Sequence, residues 1–257
     1  MSSTDRITDY DRIADRYNRR YSLYEYAGTR ESLLGFVGDN VDVLEVGCGT
    51  GHWLRTLSDQ WSAEALAERR RIVGVEPSMP MLQQASGRRV RAIAEQLPFP
   101  DASFDRVYCV NALHHFSDRM QFFREARRVL RPGGGLMSIG KDPHAERDAW
   151  WVYDYFPETR DIDRQRFAPV RRLRGELAVA GFTWAESFEA DHVEHVQPAT
   201  EALATGVVTP SFTSQLTVLS DDEFAQGVTR IRDANSDGEL QLVTDFYLFA
   251  TVGWISC

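Results

Sequence analysis

The sequence predicts an α/β protein: a mostly parallel sheet with helices on both faces, and further helical segments set over one end of it. Three observations carry that expectation. Short apolar runs alternate with amphipathic stretches through the middle of the chain, a glycine-rich turn follows the first run, and two long stretches break the alternation. At 257 residues and 29.3 kDa, with 43% hydrophobic and 26% charged residues, the chain is long enough for one large domain with a sizeable core.

Taken in order, a tyrosine-rich N-terminal stretch (Tyr10, Tyr17, Tyr21, Tyr24, Tyr26) reads as one or two helices. Buried strands are expected at 41–46 (VDVLEV), 71–76 (RIVGVE), 90–93 (VRAI), 104–110 (FDRVYCV) and 135–140 (GLMSIG), each bounded by Gly, Pro or polar residues. Helical patterns fall between them at 52–59, 79–85 and 118–130, the last placing Phe122, Phe123, Ala126, Val129 and Leu130 on one side. Alternating strands and helices imply parallel strands joined by right-handed crossovers. A helix over 170–180 ends at Gly181, FTWAESFEADHVEHV reads as an edge strand, and LVTDFYLFATVGW (242–254) as another strong strand. The interruptions are 141–169, rich in aromatics from Trp150 to Phe156, and 198–237, where SDDEF carries a helix-capping signal. The expected organisation is one domain over 1–257. Its core covers about 30–140, 170–195 and 242–254, and its lid segments 1–29, 141–169 and 198–237 lie beyond the strands' carboxyl ends, where open parallel sheets bind ligands.

A formal net charge of −9 repels polyanions, so no nucleic-acid partner is expected. The arginine clusters, Arg69–Arg71 and Arg127–Arg131 among them, read as solvated helix faces. No stretch has the length and apolarity of a membrane helix, and no signal-peptide core opens the chain. Cys48, Cys109 and Cys257 are odd in number and widely spaced, which suits a reducing, cytoplasmic setting. Metal ligation is not expected, because no tight ligand spacing occurs. A monomer or homodimer is anticipated.

The turn Gly47-Cys48-Gly49-Thr50-Gly51-His52 follows a strand and opens a helix. A dinucleotide site would place its third glycine where His52 stands, and a phosphate-gripping loop would carry Lys followed by Ser/Thr; neither pattern is present. Glu76 ends the second strand, where an acid can accept both hydroxyls of a ribose, so a nucleoside is implied. Glu45 adds negative charge beside the turn. It either favours a ligand bearing positive charge or hydrogen-bonds loop amides.

VLEVGCGTG, GVEPS, EQLPFPDASFDRVYCVNALHHF and RVLRPGG, in this order and at these separations, resemble the class I S-adenosylmethionine-dependent methyltransferases, most closely the small-molecule group containing the ubiquinone and menaquinone biosynthesis enzymes. The resemblance covers roughly residues 10–139. It implies a Rossmann-like sheet of seven strands, S-adenosylmethionine as cofactor and S-adenosylhomocysteine as product. By the same resemblance Glu45, Gly47, Cys48, Gly49 and Gly51 meet the methionine part, Glu76 the ribose, Pro77 and Met81 the adenine or ribose, and the Ala94-Glu95 stretch the adenine edge. Asn111 lies near the sulfonium and Tyr17 closes over the cofactor. Ile93 departs from the acid that relatives commonly carry there, so either backbone groups and Glu95 or Gln96 take the adenine amino contact or the cofactor binds more weakly than in those relatives.

Methyl transfer from a sulfonium needs alignment and a dry cavity, and a base only where the nucleophile arrives protonated. His114 and His115, directly after the fourth strand, and His144, after the fifth, are the candidate catalytic groups, with packing against the loop as the alternative for the pair. The expected activity is methylation of oxygen, nitrogen or carbon on a small-molecule acceptor. The alternative is a protein of the same fold that binds S-adenosylmethionine or S-adenosylhomocysteine without turning it over.

Overall fold

The runs VLEV and IVGV are buried at every position, as strands covered on both faces must be, and they pair in parallel with Val43 opposite Ile72. The computed structural model describes residues 10–14, 18–39, 41–60 and 71–256. Its sheet holds β1 (Val43–Val46), β2 (Ile72–Val75), β3 (Arg88–Val90), β4 (Phe104–Val110), β5 (Leu130–Gly140), β6 (Ala149–Trp150), β7 (Trp184–Pro198) and β8 (Gln241–Trp254). The order is β3-β2-β1-β4-β5-β8, with β7 along the outer side of β8 and the two-residue β6 beside β8 beyond the end of β5. The first five strands are mutually parallel and β8 runs antiparallel to β5 and β7.

The expected seven strands are therefore present, together with the short β6. Two differ in extent. β3 occupies 88–90 rather than 90–93, and β5 begins at Leu130, whose partner is Phe104, across an irregular step in the register. FTWAESFEADHVEHV does form the edge, as β7.

Alternation along the strands builds two cores. On β4, Tyr108 and Val110 join one face with Leu33, Leu54 and Leu57, while Val107 and Cys109 join the other with Phe122, Ala126, Leu173 and Leu177. Helices Ala27–Val37 and His52–Gln60 thus cover one face, and Arg119–Val129 and Val170–Val179 the other. The Arg119–Val129 helix is started by the Asp118 carboxylate, which accepts the Gln121 N–H at 2.9 Å, and buries Phe122 and Phe123. Each such phenylalanine contributes about 2–3 kcal/mol of apolar burial.

The two interrupting stretches pack on each other. Trp151, Val152 and Phe156 of the helix Trp151–Tyr155 and its C-cap share a core with Phe212, Leu216 and Ile231 from 199–240. The helix Asp221–Ala234 begins in a full capping box between Ser220 and Glu223. It carries Gly227 at its middle because a Cβ there would stand 2.1 Å from the Phe156 ring. No helix among the described residues is long and apolar enough to cross a membrane.

Candidate active site

β1 and β4 lie side by side at the centre of the sheet, where the strand order reverses, so the chain ends leaving them diverge and open a crevice. The glycine turn leaves β1, and Asn111 leaves β4 with a φ of 50°. The N–H groups of Gly47 and Cys48 both donate to the Val75 carbonyl, at 2.8 and 3.0 Å, which ties the turn to the end of β2. Gly47 has a φ of 76°, and a Cβ on it would stand 2.6 Å from that of Ala112; the turn and the chain after β4 are that close.

Glu76 is buried beside this turn. Its Oε2 accepts the Gly49 N–H at 3.0 Å and its Oε1 the Ser78 N–H at 2.9 Å, so two backbone amides fix the carboxylate and leave each oxygen a further acceptor site. Burial raises its pKa, against those two amides. Glu45, fully enclosed in β1, accepts the Tyr108 hydroxyl at 3.0 Å, and burial pushes it up to about 8. The Cys48 thiol is likewise pushed up by burial and by the two glutamates, which keeps it an uncharged, unreactive packing group.

The described N-terminal residues lie across this crevice. Asp11 Oδ1 meets Ser78 Oγ at 2.5 Å, Asn18 Oδ1 accepts the Thr50 hydroxyl at 2.5 Å, and Tyr21 stacks on His52 at 3.7 Å. Met81 is buried against Ile13 and Ala14. Tyr17 lies outside the described residues. Pro77 is exposed and its carbonyl accepts from Arg91 at 2.9 Å. Ala94 is buried, Gln96 is exposed, and the Glu95 carboxylate takes the Ser117 hydroxyl and the Asp118 N–H at 2.9 and 3.0 Å.

The three candidate histidines separate. His114 stacks on Phe167 with centroids 3.9 Å apart and lines two adjoining cavities, a smaller and a larger, that share Asn111, Lys141 and Phe167. His115 lines neither. Its Nδ1 accepts from Arg166 at 3.2 Å, and its Nε2 hydrogen-bonds Tyr10. Burial lowers the pKa of both rings well below the usual value, and the nearby arginines add to it, so both are neutral at physiological pH. His144 is exposed, with Nε2 on the Phe167 carbonyl at 3.0 Å; it holds the loop that presents Phe167 and lines neither cavity.

Of the aromatic run, Trp150 lines the larger cavity whereas Trp151 and Phe156 fill the packing behind it. The sequence also gives no hint of the contacts made by Lys141. Its Nζ sits 3.0 Å from Asp148 and 3.9, 4.6 and 4.5 Å from the ring centroids of Trp150, Tyr153 and Phe246. On the outer face of β7 and β8, His192, Glu194 and Asp245 bring possible ligand atoms within 4.8 Å of one another, the only such trio among the described residues. His192 donates from Nε2 to the Asp245 carboxylate at 2.8 Å, and His195 lies on the opposite, inner side beside Tyr24, as their spacing on the strand predicts.

Residues 44–138 match the methyltransferase domain family. That stretch is a methyltransferase domain. Over 105 residues it is 34% identical to the 27-O-demethylrifamycin SV methyltransferase of Amycolatopsis mediterranei, covering 37% of this chain and 36% of that protein. Over 140 residues it is 33% identical to the demethylmenaquinone methyltransferase of Tropheryma whipplei, covering 50% and 55%. The chain thus matches about a third to a half of these relatives' lengths. A crystal structure of a candidate methyltransferase from an antibiotic biosynthesis pathway of Anabaena variabilis superposes with a TM-score of 0.68 at 22% identity, over 86% of this chain and 95% of that one, which shows the shared fold. The matched stretch of the domain holds the glycine turn, Glu76 and Asn111; both interrupting segments lie outside it.

Proposed function

We propose that this protein transfers the methyl group of S-adenosylmethionine to a small-molecule acceptor held in the cavities beyond Asn111. The observation that carries the reading is Glu76, a buried carboxylate fixed by two amides at the end of β2, with acceptor capacity to spare and a glycine-rich turn beside it. That suits a ribose and an extended chain, and glycine at position 47 lets the turn lie against Ala112, where a Cβ would stand 2.6 Å from the alanine's own. When bound, S-adenosylmethionine supplies an electrophilic methyl group with a neutral leaving group.

The chain's own work is then binding and exclusion of water. Glu76 takes the ribose hydroxyls, Gly47 to Gly51 let the backbone approach, and Pro77, Met81, Ala94 and Gln96 border the nucleoside. Glu45, kept protonated near neutral pH by its burial, braces β1 beneath the turn through Tyr108. Residues 10–14 and 18–26 close the crevice through Asp11 and Asn18, as a lid. His114, neutral and stacked on Phe167, borders the acceptor and shapes its approach. Neutral His114 and His115 suit an acceptor that reaches the site deprotonated or needs no base.

Calorimetry of the purified protein with S-adenosylmethionine and S-adenosylhomocysteine tests the reading, followed by transfer of a labelled methyl group to a panel of small molecules. Micromolar binding of both, with label recovered in an acceptor, is the expected result. Binding without any turnover selects the non-catalytic alternative, and a folded protein that binds neither defeats both.

Ile93 is 50% exposed and can accept nothing from the adenine amino group, while Glu95 is occupied at Ser117 and Asp118. Ile93→Asp is expected to tighten S-adenosylmethionine binding about fivefold to tenfold by calorimetry. Unchanged or weaker affinity overturns this placement of the adenine.

A further inference from the structure

Resting on that methyl-transfer reading, we propose that the acceptor is an anion, a carboxylate, phenolate or enolate on an apolar body of aromatic size, and that Lys141 is the residue that recognises its charge. In a chain with 38 acidic residues and a net charge of −9, the described residues lining the two cavities include Arg20, Arg119, Lys141 and Arg166 but no Asp or Glu. The acids that neutralise Lys141, Arg166 and Arg119 stand outside the lining: Asp148 is 3.0 Å from Lys141, Asp163 is 3.8 Å from Arg166, and Glu176 holds Arg119 in a bidentate pair at 2.6 and 2.8 Å. In each pair the positive member belongs to the lining and the acid does not. Between low-dielectric walls that field favours an anion and disfavours an amine or a second cation beside a sulfonium.

Lys141 is also the only lysine among the chain's 29 basic residues. Arginine supplies every other cation, including those on the surface, so this position is distinguished by its compact ammonium. The ammonium is buried at the end of β5, next to Asn111 in the lining of both cavities, and three rings surround it. Those rings and Asp148 leave it few ways to move, so it is a fixed point charge. Tyr24, Tyr26, Trp150, Phe167 and Phe246 supply the apolar walls for the body of the acceptor.

The transfer balances without a base. The acceptor's anionic oxygen, or the enolate carbon, gives an electron pair to the new bond to the methyl carbon as the carbon–sulfur bond breaks and its pair stays on sulfur. The acceptor becomes neutral, no proton moves, and the lost negative charge weakens its hold on Lys141, which promotes release of the methylated product.

A single lysine makes the test direct. Protein grown with ¹³Cε-lysine, carrying a lysine-free tag, gives one lysine signal, and benzoate, benzamide and benzylamine serve as probes with and without S-adenosylhomocysteine. The Lys141 signal is expected to shift saturably with benzoate, at concentrations about tenfold below any effect of benzamide or benzylamine. The paired variant Lys141→Met, Asp148→Asn, which leaves no charge unpaired, is expected to lose that preference while keeping its melting temperature and S-adenosylhomocysteine affinity. Equal or tighter binding of benzylamine or benzamide overturns the proposal, as does a Lys141 signal that none of the three moves. The wild-type ranking needs no variant, so it tests the proposal even where the paired variant fails to fold. Failure to bind S-adenosylhomocysteine would count against the methyl-transfer reading alone, because the probe ranking is also read without it.

Discussion

Glu76→Ala is expected to weaken S-adenosylmethionine binding about a hundredfold or more by calorimetry. Two hydrogen bonds from ribose hydroxyls to a charged, buried carboxylate are worth roughly 1.5–3 kcal/mol each, which converts to that range. The substitution has a second effect, because the same carboxylate holds the N–H groups of Gly49 and Ser78. Removing it frees the turn and leaves two buried amide donors without their acceptor. Glu76→Gln separates the two contributions: its carbonyl oxygen can keep one amide while its NH₂ opposes the other. The expected order of affinity is wild type, then Gln, then Ala, with melting temperatures showing that all three are folded. An alanine variant that binds within threefold of wild type would remove the ribose from this position.

The contribution of Glu45 to stability should fall as pH rises from about 5 to 9, and Glu45→Gln should remove that fall. Burial within β1, only partly offset by the Tyr108 hydroxyl, raises the Glu45 pKa from 4.5 to about 8. The folded state therefore holds a proton that the unfolded chain releases, and stability decreases across the interval between the two values, with no further change above the higher one. The effect is on the order of a few kcal/mol. Glutamine keeps an oxygen for Tyr108 and has no proton to lose. It should match the wild type near pH 4.5 and exceed it above pH 8. Thermal unfolding of both proteins from pH 4.5 to 9 decides the matter; a difference between them that does not change with pH would show that Glu45 titrates normally.

The central sheet is legible in the sequence because its strands are buried on both faces, and continuous apolar runs such as VLEV, IVGV and FDRVYCV have few other uses. Legibility fades at the margins. β3 is an edge strand of sequence RRV, without the apolar signal that marks its neighbours, and the expectation slides to the following VRAI. RPGG reads as a breaker, yet Leu130 already pairs with Phe104 before the chain kinks back into register. β6 is two residues inside an aromatic cluster and has no periodicity to read.

In the site, the glycine turn and Glu76 announce themselves because backbone geometry demands particular residues at fixed offsets. The partners of those residues do not. Tyr108 reaches Glu45 across neighbouring strands, and Asp148, Trp150 and Phe246 gather around Lys141 through pairing of β6 with β8, contacts set by topology rather than by local sequence. One signal was available there, the solitary lysine in an arginine-rich chain. The histidine pair is visible in sequence, but which member faces the cavity depends on Phe167, more than fifty residues later.

β7 precedes β8 in the chain but lies outside it in the sheet, and all of its ladder bonds are to β8. During synthesis β7 therefore leaves the ribosome with no partner strand, while β1 to β5 can already associate behind it. Until the residues of β8 emerge and dock on β5, β7 is a fifteen-residue extended segment carrying Trp184, Phe188 and Val196 exposed to the cellular milieu. The same docking event delivers Phe246 and Leu248 to the larger cavity. A nascent chain can thus complete the crevice around Glu76 well before it owns a pocket for an acceptor, and the interval between the two is the one in which a chaperone would be needed.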